Sequence, residues 1–377
     1  MGAMPVHTAK RIKMRFDSRL DKIKIYEAGK PIELVVREYG VSSDKIVKLA
    51  SNENPYGCSP KAKKAVCDIV SNMAIYPDDS MYRLKQKLAG RFGVDESELI
   101  IGSGSDQVIE LLMHAKASTG SKILINSVTF AMYEIYAAHV GAEVVRTATL
   151  HHDLDQFYDL YKVYNPSIIF ICTPNNPTGD AIESQKLLEF LHKIDSETLV
   201  VIDGAYMEYA AAKDERYAVD AAQLIAEFDN LIYLGTLSKA YGLGGMRVGY
   251  GVAQSEIVTA LYKLRAPFNI TTLSLEAAIV ALEDVEFVDQ SIALNAEQMS
   301  RYESFADRHN IEYIYSYTNF ITLLFQEPLN SSDIALSLLK EGMIVRDLSG
   351  YGLNAIRVTI GTSSDNDRFF DLFKRLL

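Results

Sequence analysis

Cysteine is scarce in this chain: Cys58, Cys67 and Cys172 are the three among 377 residues, and no Cys-x-x-Cys pair occurs. That scarcity excludes a thiolate zinc site and a disulfide framework, and it fits a reducing compartment. The seven histidines are scattered, and the adjoining pair His151-His152 reads as a polar solvated loop, so no metal is assigned. Positive charge is in deficit, with 38 Lys and Arg against 49 Asp and Glu and a formal net charge of -11. A protein that grips a nucleic-acid backbone needs a basic face to displace counterions, so nucleic-acid partners are excluded. No apolar run reaches membrane-spanning length, and the stretch from Met1 to Arg15 carries lysines and arginines without the apolar core of a secretory signal. The expectation is a cytoplasmic protein with no membrane partner. Internal repeats and low-complexity segments are also absent.

What is present is an ordinary globular composition, 48% hydrophobic, in a chain long enough to bury a sizeable core. Five short apolar runs read as buried strands: Ile123–Ile125, Ile168–Cys172, Leu199–Ile202, Leu231–Leu237 and Val248–Val252. Between them, Phe130–Val140, Ser184–Ile194 and Ala218–Phe228 place apolar residues at helical spacing. The alternation predicts an α/β class, a large domain with a mostly parallel mixed sheet flanked by helices. In such sheets a ligand lies beyond the carboxyl ends of the strands. Those ends are polar here: the loop Thr173 to Gly179, then Asp203 with Tyr206, then Ser238-Lys239.

From about Leu282 the texture changes to a long helical stretch, then Ile311–Tyr315, Phe320–Phe325, a helix near Ile334–Leu339, Ile344–Arg346, Ile356–Ile360 and a terminal helix. This predicts a smaller α+β domain. The expected organisation is an N-terminal arm over 1–30, a segment over 31–60 joining the small domain, a large domain over 61–280 and a small domain over 281–377.

Lys239 ends a buried strand and faces Gly242, Gly244, Gly245 and Arg247. Burying an ammonium beside a second cation lowers its pKa and makes the amine available to attack a carbonyl. Taken alone, Lys239 also reads as a surface lysine opening a loop. Upstream, Gly102-Ser103-Gly104-Ser105-Asp106-Gln107 precedes a helical run over Val108–Ala117, whose exposed amides suit an anion; plain N-capping by Ser105 or Asp106 reads equally well.

Seven motifs in order carry a resemblance: Leu49 to Pro55, Tyr76-Pro77-Asp78, Pro174 to Gly179, Asp203 to Tyr206, Thr236 to Arg247, Val345-Arg346-Asp347 and Ile356 to Thr362. Together they resemble the fold-type I pyridoxal-phosphate aminotransferases, and the full set is similar to the histidinol-phosphate aminotransferase family. The resemblance implies pyridoxal 5'-phosphate as cofactor. Lys239 would hold it as a Schiff base and then act as the base that moves the substrate proton; Asp203 would pair with the pyridine nitrogen, and Asn176 and Tyr206 would donate to the ring oxygen. Asp203 alone also reads as a helix cap, and Asn176 as turn chemistry.

The resemblance further implies phosphate contacts from the amides of Ser105, Asp106 and Gln107, from Thr236 and Ser238, and from Arg247. Phe130 would stack on the ring. Tyr76 would reach the cofactor of the neighbouring subunit, making a homodimer with shared sites. Arg357 would hold the anionic end of the substrate, Arg346 would supply a second positive group, and Asn54, Tyr56 and Asn319 would line the substrate pocket. Two departures stand out: Gly204 where the family usually has an acidic residue, and Ser103 where asparagine is common.

The implied reaction is ping-pong transfer of an amino group between glutamate and imidazole-acetol phosphate, giving 2-oxoglutarate and histidinol phosphate in histidine biosynthesis. Related readings are an aromatic amino-acid aminotransferase or a threonine-phosphate decarboxylase. A cofactor-binding regulator without turnover is the rival from another class.

Overall fold

The computed structural model describes residues 14–23, 36–38 and 40–377. Most of the expected 1–30 arm and of residues 31–39 therefore lies outside the described residues. Within the arm, Ser18–Lys22 forms a 3-10 turn, and Arg19 donates to the His139 carbonyl at 3.1 Å.

Seven strands form the large sheet in the order Leu99–Ser103, Val248–Ala253, Leu231–Thr236, Leu199–Asp203, Ile168–Cys172, Lys122–Ile125, Glu143–Arg146. Val248–Ala253 pairs antiparallel with both neighbours, and the remaining pairs are parallel. The five apolar runs all become strands of this sheet. Four of them, Ile168–Cys172, Leu199–Asp203, Leu231–Thr236 and Val248–Ala253, are buried along their whole length, as continuous apolar patterning requires in a sheet covered on both faces. The two outer strands were not among those runs. Glu143–Arg146 has exposed charged ends, and Leu99–Ser103 runs directly into the glycine loop. That loop is short: the helix expected over Val108–Ala117 begins at Gly104 and ends at Lys116.

A second unit contains an antiparallel sheet in the order Arg346–Asp347, Ala355–Thr359, Phe320–Leu324, Glu312–Ile314. Its core gathers Leu49, Met299, Tyr302, Phe305, Ile321, Leu323, Ile356, Val358, Phe369 and Phe373. Val47–Lys48 pairs in parallel with Met343–Ile344, so the early segment is stitched onto this unit. The long helical stretch expected from about Leu282 is the helix Val285–Arg308, parted at Asp284 from the preceding helix Thr272–Glu283. Asp284 accepts hydrogen bonds from Ser59 at 2.5 Å and Lys61 at 2.6 Å, which ties the break to the start of the Pro60–Ile69 helix. The helix Val285–Arg308 serves both units, with Val288 in the large core and Met299 to Ala306 in the small one.

Candidate active site

The carboxyl ends of the parallel strands open into a pocket lined by Gly104, Ser105, Asp106, Phe130, Cys172, Asn176, Asp203, Ala205, Tyr206, Thr236, Ser238, Lys239 and Arg247. Residues drawn from separate loops of the sequence thus share one cavity, because each strand ends at the same rim.

Lys239 follows the strand Leu231–Thr236 by three residues; the residue as a whole is half-buried, and its amine donates to the Ser51 carbonyl at 3.4 Å. Burial, then the neighbouring Arg357 guanidinium, brings the amine down to about 8, with Arg247 acting in the same direction and Glu53 and Asp203 opposing it. A substantial fraction is therefore neutral near pH 8, which an ordinary exposed lysine does not achieve.

Asp203 closes the strand Leu199–Asp203 and is 3% exposed. Its carboxylate accepts from the Tyr133 hydroxyl at 2.6 Å and the Ala205 amide at 3.1 Å, and burial raises its proton affinity against those two bonds. The field of Asp106 raises it further, and that of Lys239 opposes this. A buried carboxylate in that state gains from a protonated ring nitrogen set against it.

Tyr206 is buried, its ring lies 5.6 Å from the Lys239 amine, and its hydroxyl oxygen accepts from the Asn52 amide at 2.8 Å. Asn176 accepts from Arg357 through its side-chain oxygen, so the group it has left to offer the pocket is its NH2. Phe130 borders the pocket and packs edge-on against Tyr133 with ring centroids 5.6 Å apart.

The anion end is made by backbone and hydroxyls. The helix Gly104–Lys116 starts here without a side-chain cap; its first amide, Gly104, donates to the Arg247 carbonyl at 3.1 Å, and the next amides, of Ser105 and Asp106, face the pocket end of the helix. Gly104 has φ of 77°, and a β-carbon on it would sit 2.7 Å from the Arg247 guanidinium, so only glycine lets the arginine pass so close. Gly249 works the same way: a β-carbon there would lie 2.0 Å from the Ser105 amide nitrogen. Thr236 and Ser238 hydroxyls meet at 3.1 Å on the opposite wall. Open helix amides, two hydroxyls and a guanidinium at one end, with a buried carboxylate at the other, fit an aromatic phosphate ester. Asp106 is raised by burial and accepts from Tyr136 at 2.9 Å.

Gln107 is placed differently from its neighbours: its side-chain oxygen accepts from the Ser103 amide at 2.8 Å and from Asn269 at 2.7 Å, outside the pocket lining. That bond holds the Ser103 backbone, the position where the family often has asparagine. Gly204 has an equally local reason, since a β-carbon on it would meet the Tyr233 hydroxyl at 2.5 Å. Tyr76 is 79% exposed, packs against Phe268 with ring centroids 4.7 Å apart and planes tilted by 30°, and is not among the residues lining this pocket.

Arg357 is buried in the strand Ala355–Thr359, donates to Asn176 and to the Ala50 carbonyl at 2.7 Å, and lies over the Phe320 ring at 5.2 Å. Arg346 stands directly opposite it in the antiparallel register. Residues opposite each other in such a pair project to the same face. Asn54 donates to the Ala240 carbonyl at 2.9 Å and accepts from the Tyr56 amide at 3.0 Å, so it clamps the backbone beside Lys239. Asn319 donates to the Asn52 carbonyl at 3.0 Å.

Tyr133 and Asn52 are the participants that residue-by-residue reading misses. Tyr133 lies one helical turn beyond Phe130, a spacing that pointed to it; Asn52 sits inside the Leu49 to Pro55 motif with no side-chain signal of its own.

Residues 44–373 match the model of the aminotransferase class I and II family. Over 97% of this chain, the histidinol-phosphate aminotransferase of Sulfurimonas denitrificans is 64% identical, with all of the relative's length covered. That of Aliarcobacter butzleri is 56% identical over 97% of this chain and 99% of its own. In fold, the chain resembles the crystal structure of histidinol-phosphate aminotransferase from Sinorhizobium meliloti in complex with pyridoxal-5'-phosphate, with a TM-score of 0.87 and 22% identity over 97% of this chain and 100% of that one. The chain belongs to the class I and II aminotransferases and, within them, to the histidinol-phosphate aminotransferase family.

Proposed function

We propose that the protein is a pyridoxal-phosphate-dependent transaminase that moves an amino group from glutamate to imidazole-acetol phosphate, releasing 2-oxoglutarate and histidinol phosphate. The observation that carries the substrate is Arg346 in register with Arg357. Two guanidiniums directly opposite across an antiparallel pair give one face two positive groups, the arrangement that a multiply charged anion would use. A phosphomonoester, with more charge than a carboxylate, gains most from two such groups; glutamate uses the same face through its distal carboxylate.

When bound, the cofactor supplies an electron-withdrawing ring that stabilises negative charge at the substrate carbon. The chain supplies the rest. Lys239 takes and returns the proton at that carbon, a role suited to an amine brought down to about 8. Asp203 would hold the proton on the ring nitrogen; Tyr206 and the Asn176 NH2 would hold the ring oxygen; the Ser105 and Asp106 amides, Thr236, Ser238 and Arg247 would hold the phosphate, with Gln107 left to brace the Ser103 backbone; Phe130 would cover one ring face. Asn54, Tyr56 and Asn319 border the substrate.

In this reading the enzyme is a cytoplasmic homodimer, and Tyr76 crosses to the neighbour's cofactor phosphate. The support is an exposed apolar strip, Met73 at 66%, Ile75 at 70%, Tyr76 at 79% and Phe268 at 44% exposure, which a second copy would cover. The same reading assigns 61–280 to the cofactor-binding domain and 281–377, joined by 31–60, to the small one.

The test offers histidinol phosphate, phenylalanine, tyrosine and threonine phosphate separately to the cofactor-loaded enzyme and follows its visible spectrum. Fastest conversion by histidinol phosphate is the expected result; faster conversion by phenylalanine would overturn the substrate.

A further inference from the structure

Asn52 has no part in the chemistry above, yet all four of its hydrogen-bonding groups are used. The residue is 1% exposed and holds φ of 56°, a left-handed conformation that asparagine and glycine tolerate best. Its side-chain NH2 donates to the Tyr206 hydroxyl at 2.8 Å, and its backbone N–H donates to the Thr359 hydroxyl at 2.9 Å. Its side-chain oxygen accepts from that hydroxyl at 3.2 Å, and its carbonyl accepts from Asn319 at 3.0 Å.

These bonds fix directions. The Thr359 hydroxyl accepts from a backbone N–H and so gives its own proton to the Asn52 side-chain oxygen, which turns the Asn52 NH2 toward Tyr206. An NH2 group offers no lone pair, so the Tyr206 hydroxyl must accept from it and has its own proton to give elsewhere. Thr359 stands two residues beyond Arg357 on one strand and shares its face. The Thr359 amide also donates to the Leu49 carbonyl at 2.8 Å, and Arg357 to that of Ala50, so the segment from Leu49 to Asn52 lies bonded along that strand.

We infer that Asn52 is a positioning residue for the transamination: it sets the direction in which Tyr206 gives its proton and ties that direction to the strand that carries Arg357. The inference rests on the reading of Tyr206 as the donor to the cofactor's ring oxygen. The titratable and charged groups acting on Tyr206 are Arg357, Cys172 and Asp203, with Lys239 near its ring, and none of them is altered by the variants below.

The test compares Asn52→Gly, Tyr206→Phe and the double variant, each loaded with cofactor, by the pH midpoint of the bound cofactor's visible absorbance. Glycine keeps the left-handed backbone and removes only the amide. Asn52→Gly is expected to move the midpoint the same way as Tyr206→Phe, by about half a pH unit or roughly threefold in the protonation constant, and to add nothing in the double variant. A Tyr206→Phe shift without an Asn52→Gly shift, or an Asn52→Gly shift that persists in the Tyr206→Phe background, overturns the role of Asn52 and leaves that of Tyr206. No shift in either single variant removes both. Thr359→Val, which keeps Asn52 and frees its amide, gives the same reading with a smaller shift should Asn52→Gly fold poorly.

Discussion

The cofactor rim and the anion face are built on opposite principles. On the rim, Asn176, Asp203, Ser238 and Lys239 follow successive strands of a mostly parallel sheet, so chain direction alone brings them together. At the anion face, Arg346 and Arg357 meet because of antiparallel register, and a slip of one residue would turn them to opposite sides. The rim tolerates drift in loop length; the face does not. Under the proposed function, chemistry would be anchored where topology is robust, and substrate choice where register decides.

Breaking the rim should have the largest effect. Lys239→Ala is expected to abolish the visible absorbance of the bound cofactor and lower kcat by about four orders of magnitude, since it removes both the attachment point and the proton-transfer group. Steady-state turnover and an absorbance spectrum check it. Survival of either at wild-type level would refute the assignment.

The anion face should break unevenly. Arg357→Ala is expected to raise KM for both glutamate and histidinol phosphate by about a hundredfold, the scale of a lost charged hydrogen bond. Arg346→Ala should weaken histidinol phosphate by about tenfold and glutamate less. Equal losses for the two substrates would remove the case for a second phosphate-holding guanidinium.

A subtler test probes the rim from behind. Tyr133→Phe deletes the donor to Asp203 and leaves a buried carboxylate oxygen without its bond, expected to cost about 1–3 kcal/mol of stability. Thermal unfolding of the cofactor-free protein measures it; an unchanged midpoint would show that Asp203 finds another partner.

The smallest expected effect is on pH dependence. The Lys239 amine, at about 8 when folded, lies below its ordinary value of 10.5. Between those values the unfolded chain binds a proton that the folded chain does not, so this group makes stability rise with pH over that window, with its full penalty present below pH 8. In the cofactor-free protein, the rate of amine labelling at Lys239 should rise through a midpoint near 8. Arg357→Gln should move that midpoint upward, because it removes the cation that acts with burial. A midpoint near 10.5 would mean that the site stays wet.

Much of the rim was legible before the fold was known. Ile168–Cys172 and Leu199–Asp203 announce themselves by unbroken apolar character, and the polar residues that follow mark where a ligand lies. Glu143–Arg146 escaped because this outermost strand has only two apolar residues between charged, exposed ends and need not be apolar throughout. A change near Leu282 was legible, close to the break at Asp284, but its cause was not, because Ser59 and Lys61 lie 225 and 223 residues away.

By itself the sequence determined the alternating strand and helix order, the polar strand ends and the amine beside an arginine, because these follow from local periodicity and side-chain chemistry. Tertiary structure alone decided that Tyr133 reaches Asp203, that Asn52 turns Tyr206, and that Arg346 faces Arg357. Each of those depends on the distance and register of segments far apart in the chain, and a hydrogen bond or a charge pair exists only where folding closes that distance.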